Sequence, residues 1–284
     1  LEILRFLQLL CEGHNLQLQN YLRSQTQNVK SYDLISETAS YLEALYREID
    51  STNIDIAIQL FTTLTEYCQG PCIDNQYALI RTKLCESTNH ILNQKEVLYP
   101  EEKLVELKEA TIVTLLSLLE GTTSPSIPRQ MIATLDFQVI RKNMDEFFEF
   151  EDKLPDPDSD DLELSYLYCF LLSTLVNYET DGRLKSILQE SPGHHILMQR
   201  TGRIEIVRND RLERVYFRVP SVCKKLPKES KQDLLWTIKR DNQQDKIEDF
   251  FERSEFLMQE MIHRENLMKT RKFSFLNRYE SKID

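Results

Sequence analysis

The chain has 284 residues, 41% hydrophobic and 29% charged, with only six glycines and nine prolines. That length can bury one sizeable core or two smaller ones, and so few helix breakers argue against a β-rich or loop-rich protein. The formal charge of −11 argues against wholesale binding to nucleic acid or to an anionic membrane. The charge is uneven: residues 201–284 carry 19 Lys/Arg against 15 Asp/Glu, and residues 1–200 carry 16 against 31. An acidic body joined to a mildly basic tail is the expectation.

The first apolar stripe, Leu1, Leu4, Phe6, Leu7, Leu10 and Cys11, predicts a helix closing near Gly13. The chain opens inside this stripe, with neither an initiator Met nor a capping residue ahead of it, which suggests a piece of a longer protein. Three-and-four spacing predicts further helices over Ser31–Ile49, Asn53–Gln69, Asn75–Leu92, Pro100–Leu119 and Gln130–Phe150. The third of the chain's helices ends at Gly70-Pro71, where Gly tolerates the cap conformation and Pro cannot extend the ladder. Leu164–Tyr178 is the longest uncharged run. It is short of the roughly 20 apolar residues a spanning helix needs, so Leu162–Tyr178 reads as a buried helix. Successive amphipathic helices on short turns predict an armadillo-like helical-repeat domain over residues 1–200, although no sequence period is evident.

Glu151–Asp161 is acidic, carries two prolines and reads as a solvated loop. The character changes after Gly202. Arg203–Val207 and Leu212–Val219 alternate apolar and charged residues around Arg208-Asn209-Asp210-Arg211, which predicts a β-hairpin. Ser230–Lys239 fits a strand or a short helix, and Asp245–Lys269 a long helix before a basic, aromatic tail. Residues 201–284 are therefore expected to form a small α/β domain.

Few residues promise chemistry. The cysteines Cys11, Cys68, Cys72, Cys85, Cys169 and Cys223 are scattered, with no disulfide framework, sequon or secretory signal, which suits a reducing, cytosolic setting. Asp156-Pro157-Asp158-Ser159-Asp160 alternates oxygen ligands as a calcium loop does. Its sixth and twelfth places hold Asp161 and Leu167 instead of Gly and Glu, so it reads as a charge run. Cys68-x-x-x-Cys72 lacks a second zinc pair, and His194-His195, expected in a turn after Pro192-Gly193, lacks a third ligand. There is no phosphate loop, nucleophile elbow or HExxH, so no enzyme is expected. Two clusters stand out: Cys11-Glu12-Gly13-His14 and Thr65-Glu66-Tyr67-Cys68-Gln69-Gly70-Pro71. Each sets a carboxylate at a helix C-terminus, where orphan carbonyls already make the potential negative. Such an acid calls for a cation, either a neighbouring Lys or Arg or a Ca²⁺ ion, which takes carboxylates with neutral oxygens.

Residues 1–15 (LEILRFLQLLCEGHN), 19–26, 64–76 (LTEYCQGPCIDNQ), 115–121 (LLSLLEG) and 129–131 resemble the RIH-associated region of inositol trisphosphate and ryanodine receptors. Residues 202–223, 228–231 and 246–261 are similar to the segment before the first membrane helix of inositol trisphosphate receptors. The resemblance implies a last helical-repeat domain followed by a small intervening domain against the membrane, adjacent to it but not spanning. It also implies a homotetrameric cation channel at the cytosolic face of the endoplasmic reticulum membrane, whose other domains and subunits are the partners. In that family an activating Ca²⁺ lies between the helical domain and another domain of the same chain. By motif match its carboxylate ligands fall on Glu12 and Glu66, with His14 and Gln69 in support. The alternative is a purely structural scaffold with no ion site of its own.

Overall fold

The computed structural model describes residues 1–94, 100–122, 124–149, 159, 162–208, 210–220, 223, 226–237, 239 and 241–280. Several helices start where a short polar side chain supplies a missing backbone partner. Asn15 Oδ1 accepts from Leu18 N at the start of α2 (Leu16–Arg23), and Asp33 Oδ1 from Ser36 N at α3 (Leu34–Leu45). The opening stripe forms α1 (Glu2–Cys11), and α4 (Ile54–Cys68) follows a turn built on Asp50.

Two predicted helices are each two. Asn75–Leu92 breaks into α5 (Ile73–Ile80) and α6 (Leu84–Leu92), because the Lys83 N–H leaves the ladder to donate to Glu43 Oε1 at 2.8 Å. After α7 (Glu101–Leu119), Gln130–Phe150 likewise divides into α8 (Ser126–Thr134) and α9 (Phe137–Glu149). Between them Asp136 Oδ1 accepts from Gln138 N and Val139 N as a new cap. α10 (Glu163–Leu175) ends in a 3₁₀ turn, Val176–Tyr178, and is the buried helix expected. α11 (Arg183–Gln189) precedes α12 (Pro192–Met198), which corrects the turn expected at His194-His195. Ser191 accepts from His194 N, and Pro192 opens the helix where a missing N–H costs nothing.

Packing recurs every three helices. α1 lies against α4, α4 against α7 and α7 against α10, while α3 meets α6, α6 meets α9 and α9 meets α12. α4 and α7 run parallel. Lys103 pairs with Asp55 at one end at 2.9 Å, Thr65 and Thr114 share a hydroxyl bond midway at 2.9 Å, and Gly70 N donates to Glu120 at the other end at 2.9 Å. α4 is the centre of the core, with Leu60, Phe61, Leu64 and Tyr67 fully buried.

β1 (Thr201–Arg208) and β2 (Arg211–Arg218) form a two-stranded antiparallel sheet, with Asp210 at φ 60 in the turn. The chain is mainly helical with this small sheet as its β structure among the described residues. It divides into Leu1–Phe217 and Arg218–Asp284, so most of the hairpin goes with the helical body, whereas the sequence suggested a boundary at 200/201. In the second unit α13 (Lys228–Thr237) resolves the open choice between strand and helix, and it contacts α14 (Gln243–Glu280). Arg253 ties the two by donating to Thr237 Oγ1 at 2.6 Å. Among the described residues no helix is long and apolar enough to cross a membrane.

Candidate metal centre

Helices α1, α4 and α7 end in the same way. Glu12 (φ −54, ψ 141), Gln69 (φ −71, ψ 147) and Glu120 (φ −62, ψ 127) leave the helix in extended geometry. Each is followed by a glycine of positive φ: Gly13 at 74, Gly70 at 110 and Gly121 at 61. The next residue then leans on the following layer. A Cβ on Gly70 would lie 2.5 Å from His14 Cβ, and one on Gly121 would lie 2.4 Å from Pro71 Cγ. Backbone conformation and close approach both demand glycine there.

Carbonyls left open at the ends of α4 and α7 are capped by buried amides. Gln19 Nε2 donates to the carbonyls of Glu66 at 2.7 Å and Gln69 at 2.8 Å. Asn75 Nδ2 donates to Tyr67 O at 2.7 Å and to Gln19 O at 3.0 Å. Gln76 Nε2 reaches Ser117 O at 3.0 Å and Glu120 O at 2.9 Å. All three side chains lie in the core, so leaving those carbonyls unpaired would cost each its desolvation.

On this frame the four residues singled out by sequence come together. Glu66 sits half-buried in the last turn of α4, and Gln69 is its C-terminal cap. Glu12 is the exposed cap of α1, and His14, at φ 60, packs on Gly70. Burial pushes the Glu66 carboxyl above the usual carboxylate range; His14 draws it back, Glu12 pushes it further and Arg5 draws it back. These groups therefore feel one another's charge. Neither Glu12 nor Glu66 makes an ion pair among the described residues, and Arg5 Nη1 donates instead to Gln8 Oε1 at 2.8 Å.

The end of α7 is neutralised differently. Arg208 Nη1 meets Glu120 Oε1 at 3.1 Å and Arg208 Nε meets Glu213 Oε2 at 3.2 Å. Gly70 N donates to Glu120 Oε2, and Gly121 N donates to Glu213 Oε1, each at 2.9 Å.

The other candidates are structural. Cys11, Cys68 and Cys72 are buried free thiols, and burial, with Glu66 and Cys72 adding, pushes Cys11 up to about 12. Burial lowers the His194 pKa, with His195 adding to the shift. No group of three or more His, Cys, Asp or Glu among the described residues is placed to hold a metal by itself. The alternating Asp156–Asp160 run lies outside the described residues except for Ser159. Sequence reasoning missed Gln19, Asn75, Gln76, Glu120 and Arg208. The available signals were amides inside apolar helical stretches and the recurrence of Glu-Gly or Gln-Gly at helix ends.

Residues 1–92, which hold Glu12, His14, Glu66 and Gln69, match the family described as RyR and IP3R Homology associated. That match covers about a third of the chain, and the rest is compared with two receptors. The chain is 27% identical to the inositol 1,4,5-trisphosphate receptor itr-1 of Caenorhabditis elegans, an alignment covering 93% of the chain and 12% of that receptor. It is also 27% identical to the inositol 1,4,5-trisphosphate receptor-like protein A of Dictyostelium discoideum, covering 88% of the chain and 8% of that protein. The chain thus spans about a tenth of the length of these relatives. Glu120 and Arg208 fall beyond the matched family region, on the part aligned with the two receptors.

Proposed function

We propose that this chain is a cytosolic coupling module of a calcium-release channel, contributing half of an activating calcium site. The observation that carries the reading is the pair Glu12 and Glu66: two carboxylates at helix ends, electrostatically coupled and without an ion pair among the described residues. Ca²⁺ takes six to eight oxygens, whereas two carboxylates offer at most four. The half-site alone therefore binds weakly, and oxygens from another domain of the parent chain complete it. His14 and Gln69 flank the carboxylates and set their turns.

An ion that bridges two surfaces binds the bridged arrangement more tightly, and that difference in affinity biases the gate. The parent is read as a homotetramer in the endoplasmic reticulum membrane, this chain at its cytosolic face and no enzyme. The three-helix packing period supports an armadillo-like repeat for residues preceding the hairpin.

A purely structural scaffold is the second reading. The buried amide caps favour it, since they stitch the helix ends without any ion. The Ca²⁺ dependence of opening in the full-length parent separates the two. Glu66→Gln and Glu12→Gln shift activation to higher Ca²⁺ if they are ligands, with tetramer and agonist binding intact. An unchanged response leaves the scaffold.

A further inference from the structure

We propose that Glu120 is a positioning residue that couples the β-hairpin to the Gln69–Gly70 turn and thereby to the candidate calcium cluster. The calcium part of this rests on the reading above; the mechanical part does not.

Glu120 caps α7 and faces two ways. Its Oε2 accepts the N–H of Gly70, the residue after Gln69, at 2.9 Å, and its Oε1 accepts from Arg208 of β1 at 3.1 Å. Arg208 is itself held by Glu213 of β2 at 3.2 Å, and Glu213 accepts the N–H of Gly121, next to Glu120, at 2.9 Å. Two hydrogen bonds to carboxylates and the Arg208–Glu213 ion pair link Glu120, Arg208, Glu213 and Gly121, and hold the Glu120 rotamer from the hairpin side.

On the other side Gly70 has little freedom. His14 lies against its Cα hydrogen and its φ is 110, so the turn moves with His14. Arg208 is thus linked through one carboxylate to the backbone beside Gln69 and the side chain beside Glu12.

Beyond this clamp, the hairpin meets the helical body at α10 and α12. A cleft of about 790 Å³ opens between it and α7 and α10, lined by Leu119, Phe170 and Tyr216 as well as the clamp. Tyr216 stacks near Phe170 with centroids 6.4 Å apart, and β1 touches α12. A displacement of the hairpin therefore acts on Arg208 and draws Glu120 off Gly70, loosening the turn that carries Gln69.

In the full-length parent protein, amide exchange of segment 64–72 is followed by mass spectrometry for wild type, Arg208→Ala, Arg208→Lys and Glu120→Ala. Ca²⁺ activation is measured on the same set beside Glu66→Gln. The coupling predicts faster exchange in Arg208→Ala and Glu120→Ala, partial rescue in Arg208→Lys, and a shift of the Ca²⁺ midpoint of roughly fivefold. Arg208 is partly buried at the end of β1, and Arg208→Lys keeps its charge, so the Arg208 pair stays informative even where Glu120→Ala does not fold. Unchanged exchange in Arg208→Ala overturns the coupling whatever calcium does. Faster exchange with an unmoved midpoint, in a channel that Glu66→Gln does shift, overturns the link to calcium and leaves the calcium reading standing. A midpoint that Glu66→Gln does not move removes the calcium reading, and the exchange result alone then decides the hairpin–turn coupling.

Discussion

Two acidic clusters, one at the end of α7 and one at the ends of α1 and α4, are treated in opposite ways. At α7, Glu120 and its neighbour Glu213 share Arg208 and two glycine N–H donors, so their charge is met within the chain. At α1 and α4, Glu12 and Glu66 face each other electrostatically with no ion pair among the described residues, and Glu66 is half-buried. The backbone geometry is nearly the same at all three ends, so the fold does not force the difference. One end is finished as a stabilising clamp; the other has no ion pair among the described residues, only the longer-range pull of His14 and Arg5, which suits a cation arriving from outside.

The sharpest way to disturb both ends together is Gly70→Ala. Its Cβ would collide with His14 and the residue would sit at a φ few L-residues adopt. A loss of roughly 1–3 kcal/mol in denaturant unfolding is expected, more if His14 cannot shift. Next in size, Glu12→Gln and Glu66→Gln are expected to raise the Ca²⁺ needed for half-activation by about tenfold each, or ~1.4 kcal/mol. Glu120→Gln leaves Ca²⁺ ligation chemically untouched, so its effect on the midpoint is expected to be smaller.

Stability without calcium divides the two ends in the reverse order. Glu120→Gln weakens a partly exposed ion pair and is expected to lower stability by about 0.5–1 kcal/mol. Glu66→Gln removes a desolvated charge beside Glu12, so melting in a chelator should stay level or rise by a few tenths of a kcal/mol. A clear fall would mean that the pull of Arg5 and His14 outweighs the burial of Glu66.

The smallest effect is one of pH. The folded carboxyl of Glu66 holds its proton above the ordinary range, so between the unfolded and folded values the folded state binds more protons. Its contribution to stability therefore rises as pH falls through that window, just above the usual carboxylate value, and is lost as pH rises. Comparing wild type with Glu66→Gln by thermal melting across that range isolates it.

Much of this was legible in the chain. The apolar stripes located most helices, the alternation after Gly202 located the hairpin, and Gly70-Pro71 marked a true helix end. The helix breaks at Lys83 and Asp136 were not legible. The first depends on Glu43, distant in sequence, and the second on a cap inside an otherwise continuous apolar pattern. His194-His195 looked like a turn because Pro-Gly usually is one, yet Ser191 caps a helix there.

By itself the sequence determined the local choices: which stretches coil, where glycine interrupts them, and which acids stand at helix ends. Those follow from periodicity and from the φ that only glycine tolerates. Tertiary structure alone decided which acid received a counter-charge. Arg208 lies far along the chain from Glu120, and Gln19 from Glu66 and Gln69; only the docking of the hairpin at the end of α7 and of α2 at the end of α4 brings such groups within hydrogen-bond distance.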